Sequence, residues 1–388
     1  MIAPTVANRV AAPRSKNDSC AALCVASHAA LFLVVAQIAY MKPVTPDRTP
    51  AMLWFTLASL TPAVLATLAC LFGGPWPLMA LGSVTVLVFG LDRLARDIAP
   101  LVQSGRALSL TLATVHFALL GLGVWSLGAG THLSLVDKLL IYITLGLYFG
   151  QVSNSNAHEL IHAASRWPRR VGAAIYVSLL HGHHVSAHLR VHHIHAATDA
   201  DPNSARRGEG FWRFALRAMR GEFSAGWRAD TLHRARATTP LNPLSHPYIA
   251  WVGGSFVVLL ISFAFAGWRG VLVHLALASY AQLQLYLSDY VQHYGLRRRS
   301  LPGGKPEPVG PQHSWNAPQW YSGAMLLNAA RHSDHHLRPT RAFPALEITP
   351  DTMPVLPRSL PVMAVVALFP PLWRRLMDRR VARWQDAA

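Results

Sequence analysis

The chain has 388 residues, of which 52% are hydrophobic and 14% are charged. Its apolar residues fall in blocks of about 20, the length that crosses a bilayer as a helix, and this excludes an ordinary water-soluble core. The formal net charge of +17 is concentrated in short segments between these blocks, which argues against nucleic-acid binding and for contact with anionic membrane lipids.

The first apolar segment, residues 21–40, stands apart from the others in an N-terminal extension over residues 1–50. Its leader is long for a cleaved signal peptide. The segment fits an extra span, an interfacial helix or an uncleaved targeting segment, and the sequence leaves these three interpretations open.

Six further apolar segments define a membrane domain over residues 51–388. They comprise residues 52–72, 75–91, 108–127, 139–155, 248–266 and 271–290. The predicted fold class is an all-α membrane protein with a six-helix transmembrane bundle, plus one extra N-terminal apolar helix. A shorter apolar stretch, residues 359–376, is broken by Pro370 and Pro371 and predicts packing at the membrane surface.

Charge assigns the connections to one side of the membrane. Residues 166–236 contain twelve arginines against five acidic residues, and Arg297, Arg298 and Arg299 follow the last predicted span. Cytoplasmic loops carry an excess of Lys and Arg, so both regions are expected to form a helical cap on the cytoplasmic side.

Histidines cluster in this predicted cap. Nine of the 20 lie in residues 158–195 and five more in residues 290–336. HELIH places two imidazoles at i and i+4 on one helical face, which suits two ligands of one ion. HLRVHH repeats this pair and directs the adjacent histidine towards a second ion, RHSDHH places three donors on one face, and one more histidine stands at the end of the last span. The candidate ligands are His158, His162, His188, His192, His193, His293, His332, His335 and His336.

The number of histidine donors says more about the identity of the metal than the type of donor does. Imidazole suits iron, zinc and copper alike, but nine donors exceed the needs of one zinc ion. Two oxygen-activating irons (Fe2+/Fe3+), with O2 as co-substrate, fit the count. HELIH also matches the H-E-x-x-H signature of zinc metalloproteases, in which Glu159 would be the general base, and a structural or storage metal site is a further alternative.

The motifs HELIH, H-x-x-x-HH, HYGL and RHSDHHLRPTR, in this order, resemble those of the integral-membrane alkane hydroxylases (alkane 1-monooxygenases) of the membrane fatty-acid desaturase superfamily. DPNSARRGE and QHSWN extend the resemblance, which covers the chain from about Met52 to its end. It implies six transmembrane helices in a bacterial inner membrane, two irons held by the nine histidines, and terminal hydroxylation of an apolar chain that enters from the bilayer. It also implies electrons from rubredoxin and its reductase.

Several further positions near the histidines bear on the predicted site. Glu159, Asp289 and Asp334 adjoin ligand positions and are candidates to accept hydrogen bonds from ligand imidazoles. Ala187, Val191 and Gln292 depart from the residues common in the family, and a fatty-acyl desaturase or lipid hydroxylase of the same superfamily is the alternative activity. For four other histidines the sequence leaves two roles open, a place in the site or hydrogen bonding at a helix end. These are His183, His184, His195 and His313.

Overall fold

The computed structural model of the protein describes residues 49–94, 104–239 and 241–387. The predicted apolar segment 21–40 lies outside the described residues, as does almost all of the predicted extension over residues 1–50. Within the described ranges the chain is helical and forms no strand, which confirms the predicted all-α fold class.

Fifteen α-helices make up the described chain, joined in places by short π-helical and 3-10 turns. The π-helical turns are Phe149–Ser153 and His188–His192, and the 3-10 turns are Pro243–Ser245, Pro311–His313 and Phe343–Ala345. The α-helices in chain order are α1 (Thr49–Phe72), α2 (Trp76–Val84), α3 (Val86–Leu91), α4 (Arg106–Gly128), α5 (Leu135–Tyr148), α6 (Asn154–Ile161), α7 (Arg166–Ser178), α8 (His183–Ala187), α9 (His193–His195), α10 (Phe211–Ala235), α11 (Pro247–His293), α12 (Trp320–Met325), α13 (His332–Leu337), α14 (Leu360–Ala367) and α15 (Pro370–Ala387).

Four helical segments of the described chain are long and apolar enough to cross a membrane. They are Met52–Phe72, Arg106–Gly128, Leu135–Ile161 and Pro247–His293, and a shorter apolar segment covers Trp76–Leu91. These five segments overlap the six apolar blocks predicted over residues 52–290. The longest segment, Pro247–His293, contains the last two blocks.

The longest helical segment, α11, reverses direction in its middle. Ala266 and Gly267 leave the helical conformation, and Gly267 adopts a positive φ of 58° that favours glycine. Twelve residues apart in sequence, Oγ of Ser262 and Nδ1 of His274 lie 2.7 Å from each other. The two halves of α11 therefore run antiparallel, in agreement with two separate apolar segments in the sequence.

Close packing between α5 and α11 depends on small residues. A Cβ atom on Gly146 would overlap the ring of Tyr280, and one on Gly150 would overlap the side chain of Gln284. Glycine at these positions lets the two backbones approach, as is common between membrane helices. The approach brings the end of α11, with His293, close to the histidines that follow α5.

The HSWN segment fixes the third histidine motif against the end of α11. Nε1 of Trp315 donates to the carbonyl oxygen of Tyr294 at 2.9 Å. The amide of the buried Asn316 accepts from the Ser333 N–H at 2.9 Å and donates to its Oγ at 2.7 Å. These bonds hold helix α13 beside His293. They also give hydrogen-bond partners to backbone groups that are buried in the interior.

Candidate metal centre

The nine predicted histidines converge into two groups. The donor atoms within each group all lie within 4.8 Å of one another. The first group contains His158, His162, His188, His193 and His335, and the second contains His192, His293, His332 and His336. Each group draws on at least two of the sequence motifs, so neither forms without the tertiary fold.

In the first group, the Nε2 atoms of three imidazoles form a triangle. His162 lies 3.0 Å from His188 and 3.1 Å from His193, and the last two are 3.0 Å apart. Nε2 of His335 is 3.2 Å from that of His193. With metal–nitrogen bonds of about 2.1 Å, neighbouring donors would be about 3.0 Å apart around an octahedral ion and about 3.4 Å apart around a tetrahedral one. The three donors are therefore close enough together to bind one ion.

The second group has the same character. Nε2 of His332 lies 2.9 Å from that of His293 and 3.1 Å from that of His336. Nε2 of His192 is buried and has no hydrogen-bond partner among the described residues. A buried polar atom without a partner is costly, and bound metal would satisfy it.

Six of the nine imidazoles are held in the neutral form that binds metal. Burial keeps the pKa values of His162, His188, His193 and His335 well below the ordinary value for histidine. It does the same for His332 and His336. Neutral imidazole has a free lone pair, so the donor set and its protonation state both fit a transition metal such as iron.

A π-helical turn divides the second histidine motif between the groups. The sequence predicts that His188 and His192 form an i, i+4 pair and that His193 points elsewhere. In the structure His188 and His193 share the first group, while His192 joins the second. The residues His188–His192 form a π-helix, whose i→i+5 hydrogen bonds widen the turn and bring residues five apart closer to one face. The predicted i, i+4 pair is wrong for this reason.

The third motif is also divided. The sequence predicts one face for its three donors, but His332 and His336 join the second group and His335 joins the first. Helix α13 lies between the two groups. The i, i+4 pair His332 and His336 faces the second group, and His335 faces the first. In the first motif His158 and His162 share one group, as their spacing predicts.

Asp201, which the sequence does not single out, orients one of the nine histidines. Its Oδ2 accepts a hydrogen bond from Nδ1 of His192 at 2.9 Å and another from Oγ of Ser204 at 2.7 Å. Burial would lower the pKa of His192, but Asp201 raises it above the ordinary value. The DPNS sequence that begins with Asp201 is part of the quoted resemblance, and this was the available signal.

The three predicted carboxylates have other contacts. Asp334 pairs with Arg338 at 2.9 Å and with Arg341 at 3.1 Å. Asp289 accepts from the amide of Asn203 at 2.8 Å. Glu159 lies beside the backbone of Phe343. Among the described residues, no hydrogen bond joins these carboxylates to the nine imidazoles, and their proposed role beside the metal stays a prediction.

The four histidines left open by the sequence lie outside both groups. His313 contacts Glu307 at 3.1 Å and accepts from the Gly310 N–H at 2.8 Å, so it stabilises a loop. His184 contacts Glu222 at 2.6 Å. Burial alone would raise the pKa of Glu222, but His184 and the nearby His181 hold it well below its usual range.

A largely apolar cavity of about 500 Å³ reaches both histidine groups. His158 and His188 of the first group and His332 of the second line it. Most of its remaining wall is apolar and comes from the helices around it, including Val84, Val86, Val88, Phe89, Leu147, Leu285, Leu287, Leu326, Leu360, Val362, Val365 and Leu368. Such a cavity suits an apolar molecule placed against a metal.

The fold and these groups define a membrane metalloenzyme with an all-helical fold and a histidine-rich centre. Residues 137–366 match the model of the fatty acid desaturase family. The chain is 32% identical to alkane 1-monooxygenase 2 of Pseudomonas aeruginosa, over 86% of this chain and 88% of that protein. It is 30% identical to alkane 1-monooxygenase 1 of Alcanivorax borkumensis, over 72% and 68%.

The chain belongs to the alkane 1-monooxygenases of the fatty acid desaturase family, and it is an oxidoreductase. It also resembles the hydroxylase component of xylene/toluene monooxygenase from Pseudomonas putida, with 25% identity over 81% of this chain and 85% of that protein. His158 and His162 of HELIH share their group with three histidines from other motifs rather than forming a separate protease-type zinc site.

Proposed function

We propose that this protein is a diiron monooxygenase that hydroxylates an alkane or another apolar chain at its terminal carbon. The observation that carries the proposal is the contact between the apolar cavity and both groups of imidazoles. The overall reaction would insert one atom of O2 into a C–H bond and reduce the other to water with two electrons and two protons. The similarity to alkane 1-monooxygenases supports this substrate class.

The nine histidines would hold the two irons, one at each group. When bound, the irons would activate O2, which is the oxidant of the reaction. Asp201 orients His192 through Nδ1 and so presents Nε2 to the second group. The largely apolar cavity wall would hold one end of the substrate against the histidines, which reduces the entropic cost of alignment.

The length of the cavity wall is consistent with a chain-shaped substrate. Leu147, Gln151, Asn154 and His158 all line the cavity and follow one another along α5, the π-helical turn Phe149–Ser153 and α6. At about 1.5 Å per residue, Leu147 lies about 16 Å from His158 along the helix axis. An extended hydrocarbon chain that enters from the bilayer would fit beside this row with its end near the metal groups.

For the domain over residues 51–388 we propose six transmembrane segments and a cytoplasmic cap, in a bacterial inner membrane. Helix α10 supports the position of the cap at the membrane surface, because one side carries exposed apolar residues that include Trp212, Leu216, Phe223 and Trp227. Arginines are exposed on the same helix. This combination is typical of helices that lie in the interface of an anionic membrane.

A separate rubredoxin-type protein, with its reductase, would supply the electrons. A rubredoxin-type centre needs four thiolates, whereas the chain has three cysteines. Exposed Arg213, Arg220 and Arg228 offer a positive surface in the cap. Complementary charge would steer an acidic donor towards this surface.

The test is product analysis with labelled oxygen. Iron-loaded protein in detergent would be supplied with reduced rubredoxin, 18O2 and a linear alkane, and the products would be separated by mass. We expect a primary alcohol with one 18O atom, and its loss in His335→Ala. An unsaturated product without 18O would instead support the desaturase alternative, and no turnover of the alkane would contradict the proposal.

A further inference from the structure

A third cluster of potential metal ligands lies outside the two histidine groups. It consists of His181, His183 and Glu222, whose donor atoms lie within 4.8 Å of one another. His181 lies just before α8, His183 is the first residue of α8, and Glu222 belongs to α10. None of the three residues belongs to either histidine group, so the cluster is a separate candidate site.

Two donor atoms of the cluster have no hydrogen-bond partner in the described parts of the chain. These are Nε2 of His183 and Oε2 of Glu222, and both atoms are buried. Oε2 of Glu222 lies 3.5 Å from Nε2 of His181, and both side chains are only 1% exposed. Donors around a tetrahedral zinc ion with bonds of about 2.0–2.1 Å would be about 3.4 Å apart. The spacing therefore fits two ligands of one such ion.

The charge of Glu222 points to a cation as well. Its Oε1 contacts Nδ1 of His184 at 2.6 Å, but no ion pair joins Glu222 to an arginine or lysine in the described ranges. Asp230, two turns further along α10, is equally buried and does have an arginine, since Arg190 lies 2.7 Å away. A buried carboxylate is expensive unless it is paired, and a divalent cation would add a permanent positive charge that a neutral imidazole does not have.

We propose that His181, His183 and Glu222 bind a zinc ion, separate from the two nine-histidine groups. Two imidazoles and one carboxylate are a ligand set that zinc accepts, and the hydroxyl of Tyr286, 3.1 Å from Nε2 of His181, borders the site. This ion would tie α10 to the segment that carries the second histidine motif. The ring of His184 extends the connection, because its centroid lies 5.1 Å from that of His188.

The test counts zinc and iron in the same purified samples. Wild-type protein, His183→Gln and Glu222→Gln would be equilibrated with zinc, freed of excess metal and analysed by elemental mass spectrometry. We expect about one zinc per chain in the wild type, at least a tenfold lower zinc content in both variants, and unchanged iron. Asp230→Asn is the matched control, since it removes a buried carboxylate of the same helix without touching the cluster, and it should keep its zinc.

X-ray absorption at the zinc edge of the wild type makes the test independent of any variant. We expect nitrogen and oxygen ligands at about 2.0–2.1 Å together with the scattering of imidazole rings. Wild-type protein without bound zinc after equilibration would overturn the proposal, as would zinc contents that are equal in the wild type and the two cluster variants. Failure of the diiron proposal would appear as a loss of iron and of the hydroxylated product, whereas failure of the zinc proposal would appear as a zinc content that does not depend on His183 and Glu222.

Discussion

Nδ1 of His192 lies 2.9 Å from Oδ2 of Asp201, and this contact selects the ring nitrogen that faces the second histidine group. A neutral imidazole that donates through Nδ1 has its lone pair on Nε2. Nε2 of His192 is the atom that is buried without a partner within the described chain. The DPNS loop is thereby connected to the metal centre through a single side chain.

Asp201→Asn should weaken metal binding at the second group. The amide keeps the size of the carboxylate but loses its charge, so His192 is no longer held as firmly in one tautomer and orientation. Loss of such partners costs roughly 10- to 100-fold in metal affinity or activity. Iron content measured at limiting iron should fall. Asp199→Asn is the control, because the Asp199 side chain is 79% exposed, and unchanged iron in Asp201→Asn would refute the proposed role.

The π-helical turn predicts a specific ranking of two double variants. His188→Ala with His193→Ala removes two donors from the first group and leaves all four donors of the second. His188→Ala with His192→Ala damages both groups. Iron analysis should therefore find about one iron in the first variant and less in the second. The reverse ranking would mean that His188 and His192 share an ion, as an ordinary α-helix would require.

Leu147→Trp should shorten the longest substrate that the enzyme accepts. Leu147 lines the cavity about 16 Å from His158 along the helix axis, and an indole at this position would occupy the space needed by the far end of a long chain. Competition assays with alkanes of increasing length should show a shift of preference to shorter chains at unchanged iron content. Leu139→Trp on the same helix is 57% exposed in the wild type, and it should keep the original preference.

Gly146→Leu should destabilise the bundle. The added side chain would overlap the ring of Tyr280, and overpacking of this kind typically costs about 1–3 kcal/mol. Thermal unfolding in detergent should show a lower midpoint than that of the wild type. Gly121→Leu provides the comparison, since an added Cβ there meets no atom within 4 Å among the described residues. Equal midpoints for the two variants would contradict the close approach of α5 and α11.

The sequence was sufficient to predict which histidines come together but not how they are divided. The nine residues are recognisable by clustering and motif, and HELIH pairs as an α-helix requires. The division of His188, His192 and His193 depends on one backbone turn, whose π-helical hydrogen bonding has no clear signal in the side chains. Contacts between distant residues were also missed, because Glu222 approaches His181 and His184 only after α10 packs on α8.

Iron stoichiometry of the purified wild-type protein tests the central claim most directly. The two groups of histidines predict about two irons per chain, one for each group. His335→Ala and His336→Ala should each lower this number, since they remove one donor from the first and the second group, respectively. Zinc in place of iron that is lost in His335→Ala or His336→Ala, or an iron content that neither substitution changes, would contradict the assignment of these histidines as a diiron centre.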